Sequence, residues 1–158
     1  MSTDPPGYVL PLRLLAGFRA LVDGLNAELA RQGHPGVRPV HGFVLQAVGD
    51  GATTAELGRA LGVTKQAAAK HVDVLERLGY LCRDADPVDA RRRPAVLTDR
   101  GRDCLARSAA IFDDLRAGWA ATLGADRLRD VEEALTLVTP GALRVDLPGW
   151  LGPGILER

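Results

Sequence analysis

The sequence predicts a mainly α-helical fold with a small β-wing: a winged helix-turn-helix set between terminal helices suited to dimerisation. Three observations carry this expectation. Apolar residues recur every three or four positions along most of the chain, the period of amphipathic helices. In the middle, two helical stretches are separated by a tight turn containing Gly62, the spacing of a helix-turn-helix. Two short β-like runs follow at once, "YLCRD" and "PAVLT", and their connection holds three consecutive arginines.

Taken in order, residues 8 to 32 place Leu14, Phe18, Leu21, Val22, Leu25 and Leu29 on one face of a long helix, which stops at Gly33-His34-Pro35-Gly36. A shorter helix fits residues 39 to 48, with Pro39 in its first turn, where its missing N–H costs nothing. Thr53 and Glu56 have capping-box spacing and open a third helix, whose stripe of Leu57, Ala60 and Leu61 ends at Gly62. Thr64 can cap a fourth, running to about Leu78, with Ala68, Val72, Leu75 and Leu78 on its core face. Beyond the hairpin, Thr98 can cap a long helix to about Leu123, with Cys104, Leu105, Ser108, Ile111, Phe112, Leu115 and Trp119 as its buried stripe. A last helix over residues 126 to 138 turns Leu128, Val131, Leu135 and Val138 inward, and Pro140 ends it.

Residues 1 to 138 therefore read as one subunit. Its dimerisation helices lie at 8 to 33 and 98 to 138, and its winged helix-turn-helix lobe at 39 to 97. Residues 139 to 158 form a Pro/Gly-rich tail in which Trp150 either packs on the dimer or belongs to a disordered terminus. A chain of 158 residues can bury enough surface to fold without disulfides, and its 46% hydrophobic and 25% charged content is ordinary for a globular protein. Cys82 and Cys104 stand apart, no apolar run approaches membrane-spanning length, and the amino terminus has no leader pattern, all of which predicts a reduced, cytoplasmic protein.

The formal net charge is zero but unevenly spread. Between residues 58 and 102, ten basic side chains face six acidic ones, a local excess of four positive charges that the remainder offsets. On the fourth helix Lys65, Gln66, Ala69, Lys70 and Asp73 lie opposite the core face. Such a face is often merely solvated, but here a basic hairpin tip follows it. Arg91, Arg92 and Arg93 on that tip can reach phosphates or a narrow minor groove, whose negative potential favours arginine.

"LGVTKQAAAKHVDVLERLGYLCR" (residues 61 to 83) followed by "DPVDARRRPAVLTDRGR" (residues 86 to 102) resembles the MarR family of bacterial transcriptional regulators. The match includes the spacing from Asp89 and Arg91 to Leu97-Thr98 and Gly101, and the likeness extends from about Leu12 to Val138. The resemblance implies a homodimer whose first and last helices interleave, a duplex DNA operator as partner, and a small-molecule pocket between the dimer helices and the DNA-binding lobe. On this reading Thr64, Lys65, Gln66, Ala69, Lys70, Arg91, Arg92 and Arg93 meet DNA, with Thr64 holding a phosphate at the helix start. Phe18, His41 and Trp119 are the candidates for a pocket taking a small aromatic or anionic effector. His41 could equally serve as an interhelical hydrogen-bond partner, and His71 is expected to lean toward the core.

Other chemistry finds little support. There is no Gly-rich phosphate loop, H-E-x-x-H or G-x-S-x-G, and His34, His41 and His71 have no metal-ligand spacing, so neither an enzyme, a metal nor a cofactor is expected. Peroxide-sensing MarR proteins use a reactive cysteine in the first helix, which this chain lacks; Cys104 is expected to be buried, and Cys82 is reactive only if exposed beside Arg83. The competing class is a winged-helix protein-interaction module that binds no specific DNA.

Overall fold

The computed structural model describes residues 4–84 and 93–139. Among the described residues, six helices and a two-stranded sheet follow the order α1 (Val9–Arg31), α2 (Pro39–Val48), α3 (Thr54–Leu61), α4 (Lys65–Arg77), β1 (Leu81–Arg83), β2 (Ala95–Leu97), α5 (Asp99–Leu123) and α6 (Ala125–Val138). The strands are antiparallel, with Leu81 opposite Leu97 and Arg83 opposite Ala95. One contact escapes sequence reasoning: Ala52, in the turn between α2 and α3, exchanges both backbone hydrogen bonds with Ala95 at 3.0 and 2.9 Å, adding a one-residue third rung.

The caps form as their residue types dictate. The Thr53 hydroxyl accepts from the Glu56 amide at 3.3 Å, while the Glu56 carboxylate accepts from the Thr53 amide at 2.8 Å. Thr64 and Thr98 cap α4 and α5 in the same way, each accepting at 3.1 Å from an amide three residues on. Between α3 and α4 the chain doubles back so tightly that a Cβ on Gly58 would lie 2.9 Å from the Val63 carbonyl oxygen, so the turn requires glycine there.

The core runs through both layers. Leu25 and Leu29 of α1, Val44, Leu45 and Val48 of α2, Leu57 and Leu61 of α3, and Ala68, Val72 and Leu75 of α4 meet Tyr80, Leu81 and Ala95 of the hairpin and Cys104 and Ile111 of α5. The expected stripes hold where these elements touch and fail beyond them. Leu78 is 37% exposed because the helix proper has ended at Arg77, and Ala60 faces solvent. Of the apolar face expected to turn inward on α6, only Leu128 is buried; Val131, Leu135 and Val138 are exposed, as is Phe112 on α5. Leu10, Leu12 and Leu14 near the start of α1 are exposed as well. Pro140, Trp150 and the tail fall outside the described residues.

Candidate nucleic-acid interface

Helix α4 is held from below and left open above. Ala68, Val72 and Leu75 are fully buried, which fixes the rotation of the helix and turns Lys65, Gln66 and Lys70 outward into solvent; Ala69 between them is half-buried. Thr64 is exposed at the helix start beside backbone donors that no earlier turn can use. Asp73, expected to be open, is instead engaged by Arg83 of β1 at 3.0 Å.

The hairpin stands beside this face. Past the strands the pairing extends through Asp84, whose amide donates to the Pro94 carbonyl at 3.1 Å, so the two arms leave the lobe together. Arg93 is exposed at the returning arm. Arg91 and Arg92 lie outside the described residues.

The base of the hairpin is fixed by a polar cluster that sequence reasoning missed. His34 is 3% exposed and sits between Tyr80 and α5: Nδ1 lies 3.2 Å from the Tyr80 hydroxyl and Nε2 2.8 Å from Asp103 Oδ2. A carboxylate only accepts, so the neutral ring carries its proton on Nε2, and Nδ1 accepts from Tyr80. Arg100 lies over the Tyr80 ring at 4.7 Å and donates to its hydroxyl at 3.2 Å, while Arg107 donates to Asp103 at 2.8 Å. Hydrogen bonds from Arg107 and then His34 hold the Asp103 carboxyl below the usual carboxylate range, and burial pushes the Tyr80 hydroxyl up. Gly33-His34-Pro35-Gly36 announced only a helix break; the one available hint was Tyr80, a tyrosine in an apolar run whose hydroxyl needs a partner once buried.

His41 is 3% exposed at the start of α2, where its Nδ1 accepts from the Arg38 amide at 3.2 Å. Its ring meets that of His71 edge-on, centroids 6.1 Å apart, and His71 is half-exposed rather than turned fully into the core. Burial above all, then the neighbouring His71 and Arg38, lowers the His41 pKa from its ordinary 6.5 to about 4. The unfolded chain therefore takes up this proton first. Stability attributable to neutral His41 should be complete above pH 6.5 and fall as the pH drops toward 4, by up to about 3 kcal/mol. Denaturant titrations across that window should show His41→Gln losing less stability on acidification than the parent; parallel curves would refute the assignment.

Neither Phe18 nor Trp119 lines the two hollows beside α2. Trp119 packs on α1, where a Cβ at Gly17 would lie 3.3 Å from its ring, and Phe18 is half-buried. His41 lines an open hollow between α2 and α4 that also includes Arg38, Thr64, Gln66, Lys70 and His71. A separate cleft of about 290 Å³ lies between α1, α2 and α5, walled mainly by apolar side chains such as Val22, Leu25, Phe43 and Phe112. Asn26, Gln46, Ser108 and Arg38 supply its polar groups. Sequence periodicity put Leu25 and Phe112 on packing faces, but could not show that three helices diverge enough to leave a gap between them.

Residues 36–92, which take in α2, α3, α4 and β1 and stop short of β2, match the family model described as MarR family. This is a MarR-like winged-helix segment. The MarR-family fold extends over most of the chain. It is similar to the YusO protein from Bacillus subtilis at 22% identity and a TM-score of 0.66, over 89% of this chain and all of that one. It is likewise similar to the apo form of MarR from E. coli, at 22% identity and a TM-score of 0.64 over 88% of this chain and all of MarR. A MepR–DNA complex from S. aureus matches at 20% identity and a TM-score of 0.62, over 84% of this chain and 96% of MepR. A curated relative, the LexA repressor of Deinococcus radiodurans, is 36% identical over 87 residues, which is 53% of this chain but 40% of that repressor's length. Among the described residues no helix is long and apolar enough to cross a membrane, and no group of three or more His, Cys, Asp or Glu side chains could hold a metal ion. Cys82 is exposed and Cys104 buried, and burial pushes the Cys104 thiol up.

Proposed function

We propose that this chain is a DNA-binding transcriptional regulator that acts as a homodimer on a pseudo-palindromic operator, most simply as a repressor. The observation that carries the reading is the outward stripe of Lys65, Gln66 and Lys70 on a helix pinned by its buried face, with a hairpin standing beside it. In this reading α4 enters the major groove, Ala69 allows close approach, Thr64 presents the helix start to a phosphate, and Arg91 leads the wing into the minor groove with Arg92 and Arg93 on flanking phosphates. The MepR–DNA complex among the similar structures supports a DNA partner. A shift of DNA from upstream of the chain's own gene, resistant to unrelated competitor, tests it; a complex that unrelated DNA displaces equally well would refute specific binding.

Within that experiment, Arg91→Ala should weaken binding by about 1–3 kcal/mol. Gln66→Ala should relax preference at one symmetric pair of positions, since glutamine suits adenine at a major-groove edge. Identical base preferences for Gln66→Ala and the parent would remove Gln66 from the interface.

An effector completes the proposal. The cleft between α1, α2 and α5 favours a small, largely apolar molecule, aromatic or singly anionic, because Arg38 is the charged group among its lining residues. Such a molecule releases DNA only if it prefers the DNA-incompetent state, and a hundredfold effect requires about 2.7 kcal/mol of preference.

A further inference from the structure

Arg83 closes β1 and reaches back to the recognition helix. Its Nη2 donates to Asp73 Oδ1 at 3.0 Å and its Nε to Glu76 Oε2 at 3.1 Å, so one guanidinium spans two carboxylates on successive turns of α4. Asp73 continues the Gln66–Lys70 stripe, at intervals of four and three residues, and is 58% exposed. A carboxylate in that place would face the phosphates.

An exposed ion pair contributes little to stability, and this one is a third exposed on the arginine side. Its geometry is more informative than its energy. A planar guanidinium holding two acceptors on one helix fixes the strand's direction against that helix, which a lysine, as a flexible point charge, cannot do. The same contact supplies positive charge beside two negative groups next to the proposed DNA face. We propose that Arg83 is a positioning residue for DNA recognition: it sets the wing root against α4 and screens Asp73 and Glu76 from the phosphates. The inference rests on the DNA-binding reading, and it assigns Arg83 no phosphate contact of its own.

The test compares the parent with Arg83→Ala, with Asp73→Asn/Glu76→Gln, and with all three changes together, on a duplex that the parent selects from random sequence. Arg83→Ala should lose about tenfold in affinity, because like charges then face each other. The triple variant should return to within about threefold of the parent, since the carboxylates needing screening are gone. A triple variant as weak as Arg83→Ala would overturn the screening role.

A second arm needs no DNA. Cys82 is exposed on β1 and Cys104 buried, so a nitroxide on Cys82 and another on Gln66→Cys report the separation of wing root and helix. The distance distribution should broaden when Arg83→Ala is added, and an unchanged width would overturn the positioning role. If the parent selects no duplex, the DNA-binding reading fails by itself, and the distances alone decide whether Arg83 sets the wing.

Discussion

Gly101→Ala should destabilise the chain by about 3 kcal/mol or more and leave little soluble protein at physiological temperature. In the first turn of α5 an alanine would ordinarily help, by roughly 1 kcal/mol of helix propensity. Here the added Cβ would stand 2.3 Å from the Tyr80 carbonyl oxygen and 3.1 Å from Leu97 Cδ2. That carbonyl cannot swing aside, because it accepts from the Thr98 amide at 3.1 Å while the Thr98 hydroxyl donates to the Gly79 carbonyl at 2.6 Å. The only relief is to move α5 away from the hairpin, which opens the core around Tyr80 and Cys104. Denaturant midpoints decide the matter: a Gly101→Ala protein as stable as the parent would mean that the helix start can yield.

Replacing Val131 and Leu135 by Asp should convert a dimer into a folded monomer and lower operator affinity by about a hundredfold or more, because the second recognition helix then binds as an independent molecule. These positions suit the test because both are exposed on the single chain, so carboxylates there cost the subunit little. They would be expensive only if a partner buries them, by several kcal/mol per unpaired charge. Leu25, on the apolar stripe of α1, would be a poor choice: it lies in the subunit's own core, and a charge there would unfold the monomer before reporting on the partner. Sedimentation at micromolar concentration gives the answer, and a doubly substituted chain that still sediments as the parent does would exclude α6 from the dimer interface.

How much of this was legible beforehand depended on range. Helix starts were readable because a cap is a local contract: Thr53, Thr64 and Thr98 each meet an amide three residues away, and all three caps form. The rotation of α4 was readable because Ala68, Val72 and Leu75 repeat with the helix. Contacts between distant segments were not. His34 finds its partners 46 and 69 residues on, and Ala52 pairs with Ala95 through backbone atoms, which leave no mark on side-chain identity. The inward face expected of α6 failed for a different reason: periodicity shows that a face is apolar but not which molecule covers it. Phe18 and Trp119 do not join His41 in the hollow that it lines, because membership of neighbouring helices does not set the direction in which a ring points.

The pairing of Ala52 with Ala95 bears on how such a molecule can be controlled. It ties the turn before α3 to the returning arm of the hairpin, while Arg83 ties the outgoing arm to α4. Helix-turn-helix and wing are thus linked into a closed ring of contacts with few internal degrees of freedom. A ring of that kind transmits a push as a rotation of the whole lobe and does not absorb it by bending. Occupancy of the cleft between α1, α2 and α5 would then be felt at the DNA as a change in the separation and tilt of two stiff reading heads, each keeping its own base preferences. The expected signature is one sequence logo with and without effector, and an altered tolerance for the number of base pairs between half-sites.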